Sequence, residues 1–131
     1  MAKEAGMAIL HEKRAPFISD GTASPGDFVS LGSDGKVTTV DSTTDTKVTG
    51  VLSNSRDNYG HEDGDKVSVN IGGVVIANVA TGTGIGDMLG PSATEGEAAS
   101  GGTDAEAYCD EGGSYEGSAC PAGTAAVNLE V

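Results

Sequence analysis

Residues 66–71 alternate strictly, with Val67, Val69 and Ile71 on one side and Lys66, Ser68 and Asn70 on the other. A period of two predicts a β-strand with one buried face. Gly72-Gly73 is read as a turn into residues 74–80, whose consecutive apolar side chains predict a second strand, covered on both faces. Upstream, Phe28 to Leu31 and residues 36–40 are apolar runs separated by Ser33-Asp34-Gly35, which reads as a hairpin. Residues 41–45 form a polar connection, and β character returns over 47–53 through Val48, Val51 and Leu52. At the C-terminus, Ala125, Val127, Leu129 and Val131 alternate with Asn128 and Glu130, a strand placed to close the sheet.

A Gly-Asp pair introduces three of these runs: Gly26-Asp27, Gly64-Asp65 and Gly86-Asp87. Glycine supplies the positive φ of a tight turn, and Asp bonds back to the local backbone, so each pair marks the end of a loop and the start of a strand. Gly26-Asp27 with Gly35-Lys36-Val37, and Gly86-Asp87 with Gly96-Glu97-Ala98, hint at a degenerate internal repeat. Residues 1–24 show neither period, and Pro16-Phe17-Ile18 breaks any short helix begun at Met7, so they read as an extended N-terminal arm. The expectation is an all-β chain: a small Gly-rich β-barrel or β-sandwich over residues 25–131, preceded by that arm.

Composition narrows this picture. A chain of 131 residues provides one modest core, and with 4% aromatics, no Trp and 21 Gly that core must be Val, Ile, Leu and Ala on short strands. Twenty acidic against seven basic side chains give a formal charge of −13, which disfavours nucleic acid as a partner. It suits a folded protein adapted to molar salt, where the Debye length of about 3 Å screens self-repulsion. Lys3, Lys13 and Arg14 balance Glu4, Glu12 and Asp20 in the first 20 residues, so the arm can approach an acidic surface. Residues 90–124 carry no Lys or Arg and seven acids, and are expected to be the most exposed part. No stretch approaches the roughly 20 apolar residues of a membrane helix, and the Met7 to Leu10 run is too short for a secretory signal. No membrane partner is therefore expected, and synthesis in the cytoplasm is.

Candidate chemistry is sparse. Gly82-Thr83-Gly84-Ile85-Gly86-Asp87 has its third glycine one residue early for a dinucleotide loop and an Asp where pyrophosphate would approach, so it reads as a turn. Asp57, Glu62, Asp63 and Asp65 crowd one polar loop, but their spacing does not follow an EF-hand, and no metal ligand set is assigned. His11 lies in the arm and His61 in the loop, neither beside a recognisable nucleophile. No catalytic residue and no cofactor is assigned, and the chain reads as a non-enzyme.

The order of elements is informative. Pro-Gly-Asp-Phe-Val, Asp-Gly-Lys-Val, Val-Thr-Gly-Val-Leu, Gly-Asp-Lys-Val-Ser-Val, Gly-Gly-Val-Val, Ile-Gly-Asp-Met-Leu and a closing Ala-Ala-Val-Asn-Leu-Glu-Val follow a flexible arm. This order, over roughly residues 16–99 and 123–131, resembles the head decoration, or cement, proteins of tailed double-stranded DNA viruses, and the acidity resembles one infecting halophilic archaea. Residues 100–122 depart from the pattern as an acidic Gly-rich insertion.

The resemblance implies a homotrimer on the outer surface of the virion, bound to the major capsid protein, bridging capsomers and stabilising the shell against internal DNA pressure. It implies assembly in the host cytoplasm. The arm would dock on the capsid through Met7, Ile9, Leu10, Pro16 and Phe17, in part as an added strand. A rival is another virion or cell-surface module, such as a fibre base or glycan-binding adhesin; a small β-barrel enzyme is a third class. Cys109 and Cys120 stand with ten residues between them in the Gly-rich stretch, and neither His lies at zinc-ligand spacing from them. They form either a disulfide, expected in a particle that leaves the cell and worth about 3 kcal/mol on the loop-entropy model, or two free thiols in a reducing cytoplasm.

Overall fold

The computed structural model describes residues 2–42 and 48–131. The strands, in chain order, are β1 (Ala8–Ser19), β2 (Phe28–Leu31), β3 (Lys36–Thr39), β4 (Gly50–Leu52), β5 (Lys66–Asn78), β6 (Met88–Pro91), β7 (Ala98–Ser100), β8 (Ala105–Ala107), β9 (Ser114–Tyr115), β10 (Ser118–Ala119) and β11 (Thr124–Asn128). A short 3₁₀ turn at Arg56–Asn58 is the helical element among the described residues. The chain is all-β, as the alternation and Gly-Asp turns predict. Residues 43–47, within the expected polar connection and the start of the run after it, lie outside the described residues.

Nine strands run in the order β1-β3-β2-β4-β5-β11-β8-β6-β7, and β1 also pairs with β5. That second pairing closes a circuit, ring 1, through β1, β3, β2, β4 and the first half of β5. The second half of β5 then pairs with β11, β11 with β8, β8 with β6 and β6 with β7. A parallel bridge from Val79, just beyond β5, to Ala98 closes ring 2. Closure on both sides removes the long unpaired edges that expose a small sheet to aggregation.

The hinted repeat extends over both rings. The Gly26 N–H donates to the Leu52 carbonyl at 2.9 Å and the Leu52 N–H to the Asp27 carbonyl at 2.9 Å; in ring 2 Gly86 and Ala107 (2.8 Å) and Ala107 and Asp87 (2.9 Å) make the same pair. Ser19 N–H to Asp65 O and Val79 N–H to Gly123 O are both 2.9 Å. Phe28, Val51 and Asn70 are direct cross-strand partners in ring 1, as are Met88, Glu106 and Asn128 in ring 2. Val-Asn at 69–70 corresponds to Val-Asn at 127–128 in the two closing strands.

The interiors differ in size. Ring 1 encloses Val29, Val37, Leu52, Val67 and Val69, with Phe17 packed against them. The corresponding ring 2 positions are Leu89, Ala98, Ala107, Ala125 and Val127, all buried. Smaller side chains fill ring 2, and the loop between β7 and β8 packs tightly on β6, where a Cβ on Gly102 would collide with the Gly90 backbone. Between the rings, Phe28, Val40, Val51, Val74 and Ile76 join one buried cluster. Each of these large side chains contributes about 1.5–3 kcal/mol by leaving water.

Candidate functional site

Residues 1–24 are not a free arm. β1 pairs antiparallel along β5, from Ala8 opposite Val75 to Ile18 opposite Lys66, and parallel to β3. Ahead of it, the Gly6 N–H donates to the Ile76 carbonyl at 2.7 Å, and the Gly6 carbonyl accepts from Asn54 N–H at 3.2 Å and from Asn70 Nδ2 at 2.9 Å. Lys3 Nζ donates to Tyr115 O and Ser118 Oγ. The segment escapes a search for periodicity because its partners, register shifts and bends change along its length. At Gly73 (φ 80) an added Cβ would strike the Leu10 and His11 carbonyls, so β1 and β5 bend together there.

The residues expected to dock on a capsid are therefore dispersed. Met7 and Ile9 are partly buried on the larger core cluster, and Phe17 on the smaller. Leu10 and Pro16 remain exposed. Pro16 stands opposite Ser68, and having no N–H it cannot complete a ladder on its outer edge.

Within residues 100–122, β8 belongs to the large sheet, while β9 and β10 form a separate two-stranded sheet. β8 lies between β6 and β11 as β4 lies between β2 and β5, with Ala105 and Ala107 buried. Small side chains hid this strand, since Ala-Glu-Ala carries little hydrophobic signal.

Cys109 and Cys120 are buried, and both are thiols, with Sγ atoms 3.7 Å apart. The cross-link considered from the sequence is thus a contact between thiols in this structure, and a bond would require closure to about 2.05 Å. Burial, with the hydrogen bond to Cys109, pushes the Cys120 thiol up to about 11. The Ala126 N–H points at Cys109 Sγ at 3.4 Å.

The acidic loop does local work. Asp65 Oδ2 accepts the Glu62 N–H at 2.8 Å, and Asp63 pairs with Lys36 at 2.9 Å. Among the described residues no group of three or more His, Cys, Asp or Glu is placed to hold a metal ion. The 82–87 glycine run is a turn, with Asp87 Oδ2 accepting the Gly84 N–H at 2.8 Å and Asp110 Oδ1 the Ile85 N–H at 2.8 Å. His61 Nδ1 meets the Asn58 carbonyl at 2.7 Å beside a surface cleft of about 570 Å³ that Tyr59 and Glu4 also line. His11 is exposed, with φ 52.

What the structure brings together is a pair of unlike outer faces. The row Phe28, Val51, Asn70 on ring 1 is fully buried, whereas in the corresponding row of ring 2 Met88 is 37% exposed and Glu106 and Asn128 are half-buried. Ile85 is 70% exposed on the turn before Met88. All seven Lys and Arg residues occur at or before Lys66, and residues 67–131 carry acids alone. No protein-family model and no curated protein matches the chain. Sequence reasoning missed the ring 2 face because Met88, Glu106 and Asn128 are distant in the chain; their register across three strands makes the patch.

Proposed function

We propose that this protein is a structural component of a virion, binding the outside of an icosahedral head as a decoration protein and stabilising the shell against internal DNA pressure. The reading rests on the order of its motifs, supported by one structural observation: their described residues lie in the strands and turns of a doubly closed β-fold. A cement protein works by adding contact energy that must be lost before the shell opens, and a rigid body suits that task. The acidic surface fits molar salt, where charge repulsion between neighbouring copies is screened. The partner is the major capsid protein, contacted by the folded body of the protein because the N-terminal segment is already bound within its own chain. A homotrimer remains the expected form on the capsid.

The test is co-sedimentation with undecorated viral heads in molar salt. Saturable binding in fixed proportion to capsid subunits is expected. A folded protein that stays in the supernatant would overturn the reading and favour the fibre or host-surface module.

A further inference from the structure

Within one chain, ring 1 and ring 2 stack in a defined way. The outer row Phe28, Val51, Asn70 of ring 1 is covered from the side of the second half of β5, whose outward residues Val74 and Ile76 share its buried cluster. The β6–β7 turn adds to the cover: the Phe28 N–H donates to the Gly96 carbonyl at 2.8 Å, and the Gly96 N–H to the Val40 carbonyl at 2.9 Å.

Every group in that contact has a counterpart in the other ring. Phe28 and Val51 correspond to Met88 and Glu106, which lie on the outer face of ring 2 with no third ring to cover them. On the covering side, Val74 and Ile76 correspond to Arg14 and Pro16 of β1, because these residues stand opposite Asn128, Ala126, Asn70 and Ser68 respectively in the two closing strands. The Gly96 turn corresponds to the Gly35 turn, followed by Lys36. The molecule thus ends in one uncovered face at each end, and the chemistry of the two is complementary. By this correspondence Val51 and Phe28, which share a buried cluster with Val74 and Ile76, become Glu106 and Met88 set against Arg14 and Pro16.

We propose that the Met88–Glu106–Asn128 face of ring 2 docks the β1 face of ring 1 of a second copy of this chain, repeating between molecules the stacking that joins the rings within one. Charge favours this head-to-tail direction: all seven Lys and Arg lie at or before Lys66, so residues 1–66 are less acidic than residues 67–131, and a ring 2 face meeting a ring 1 face sets Glu106 near Arg14 instead of near another acid. Arg14 is 37% exposed and held by Glu12 at 3.0 Å, and Lys36 by Asp63 at 2.9 Å, surface pairs that can open to take a new acid. Such a contact uses different patches on the two partners, so it builds a ring if the rotation closes and a filament if it does not. The proposal concerns the purified protein alone and does not depend on what the assembly binds.

Sedimentation velocity tests it, run across concentration at the lowest salt that keeps the far-ultraviolet spectrum native. Wild type is expected to self-associate. Met88→Glu, at an exposed position, should weaken association by about a hundredfold with an unchanged spectrum. Arg14→Glu and Glu106→Arg should each weaken it by about tenfold, and an equimolar mixture of the two should recover association. In alternating copies of the two variants, every contact again sets one acid against one base, with the charges either in their native places or exchanged. A wild type that is monomeric at every concentration overturns the proposal, as does a Met88→Glu variant that assembles normally. A mixture no better than either single variant overturns the head-to-tail arrangement.

Discussion

Asp27 and Asp87 hold the same turn in the two rings: each accepts through Oδ2 the backbone N–H three residues upstream, from Ser24 and from Gly84, both at 2.8 Å. They differ in what surrounds them. Asp27 also accepts Asn78 Nδ2 at 2.7 Å across the junction between rings, and Gly96 packs against its carboxyl. Replacement of Asp27 by Ala should cost about 2–3 kcal/mol, since it leaves Asn78 unpaired in a confined site, against about 1 kcal/mol for Asp87→Ala. Chemical unfolding in molar salt measures both, and equal losses would show that the junction bond adds nothing.

The same difference sets a pH dependence. Burial lifts the Asp27 carboxyl above its ordinary 3.8, against the lowering effect of its bonds from Ser24 and Asn78. The folded protein therefore holds this proton more tightly than the unfolded chain. Its contribution is fully present below the unfolded value and is lost as pH rises through the folded one. Thermal unfolding of Asp27→Asn, compared with wild type from about pH 3 to 6, should show that component of the slope removed. Parallel profiles would contradict the assignment.

Gly73 is the joint of the molecule. Its φ of 80, together with the Leu10 and His11 carbonyls in the path of any Cβ, leaves no room for a side chain. Gly73→Ala should destabilise by about 3 kcal/mol or more, whereas Gly82→Ala, also at positive φ but with open space around it, should cost only about 1–2 kcal/mol. Similar melting temperatures for the two variants would count against the close approach.

Removing residues 1–17 deletes most of β1, one of the five strands of ring 1, and the Gly6 carbonyl that receives Asn70 and Asn54. The truncated chain should lose cooperative unfolding in ring 1, seen as loss of amide protection in β3 and β4. Retained protection would mean that the segment is dispensable to the fold, and would restore the idea of a detachable arm.

Cys109 and Cys120 should resist alkylation in the folded protein, being buried, with Cys120 raised to about 11 by burial and then by its bond with Cys109. Both should react once the chain is unfolded. Rapid modification of the native protein at neutral pH would place them at the surface.

The parts of the fold legible in the sequence were those with strong side chains. Strict alternation marked the first half of β5, and the Gly-Asp pairs marked β2, β5 and β6, because a positive φ and an Asp acceptor are local requirements. β1 was illegible because long-range pairing, not its own pattern, makes it a strand: it bulges three times along β5. β8 was hidden by Ala-Glu-Ala, a sequence with little signal of its own that is held as a strand by pairing with β6 and β11. The candidate face was less legible still. Met88, Glu106 and Asn128 lie far apart in the chain, and only strand register sets them side by side.

Two strands, β1 and β5, cross the boundary between the rings without interruption, and they are hydrogen-bonded to each other on both sides of it. Paired backbone running through Gly73 joins the halves, so the relation between the outer face of ring 1 and that of ring 2 is written into main-chain geometry. A body of this kind presents its two ends in a set relation. Whatever it joins at its two ends, whether copies of itself or points on a shell, inherits a curvature decided within a single polypeptide.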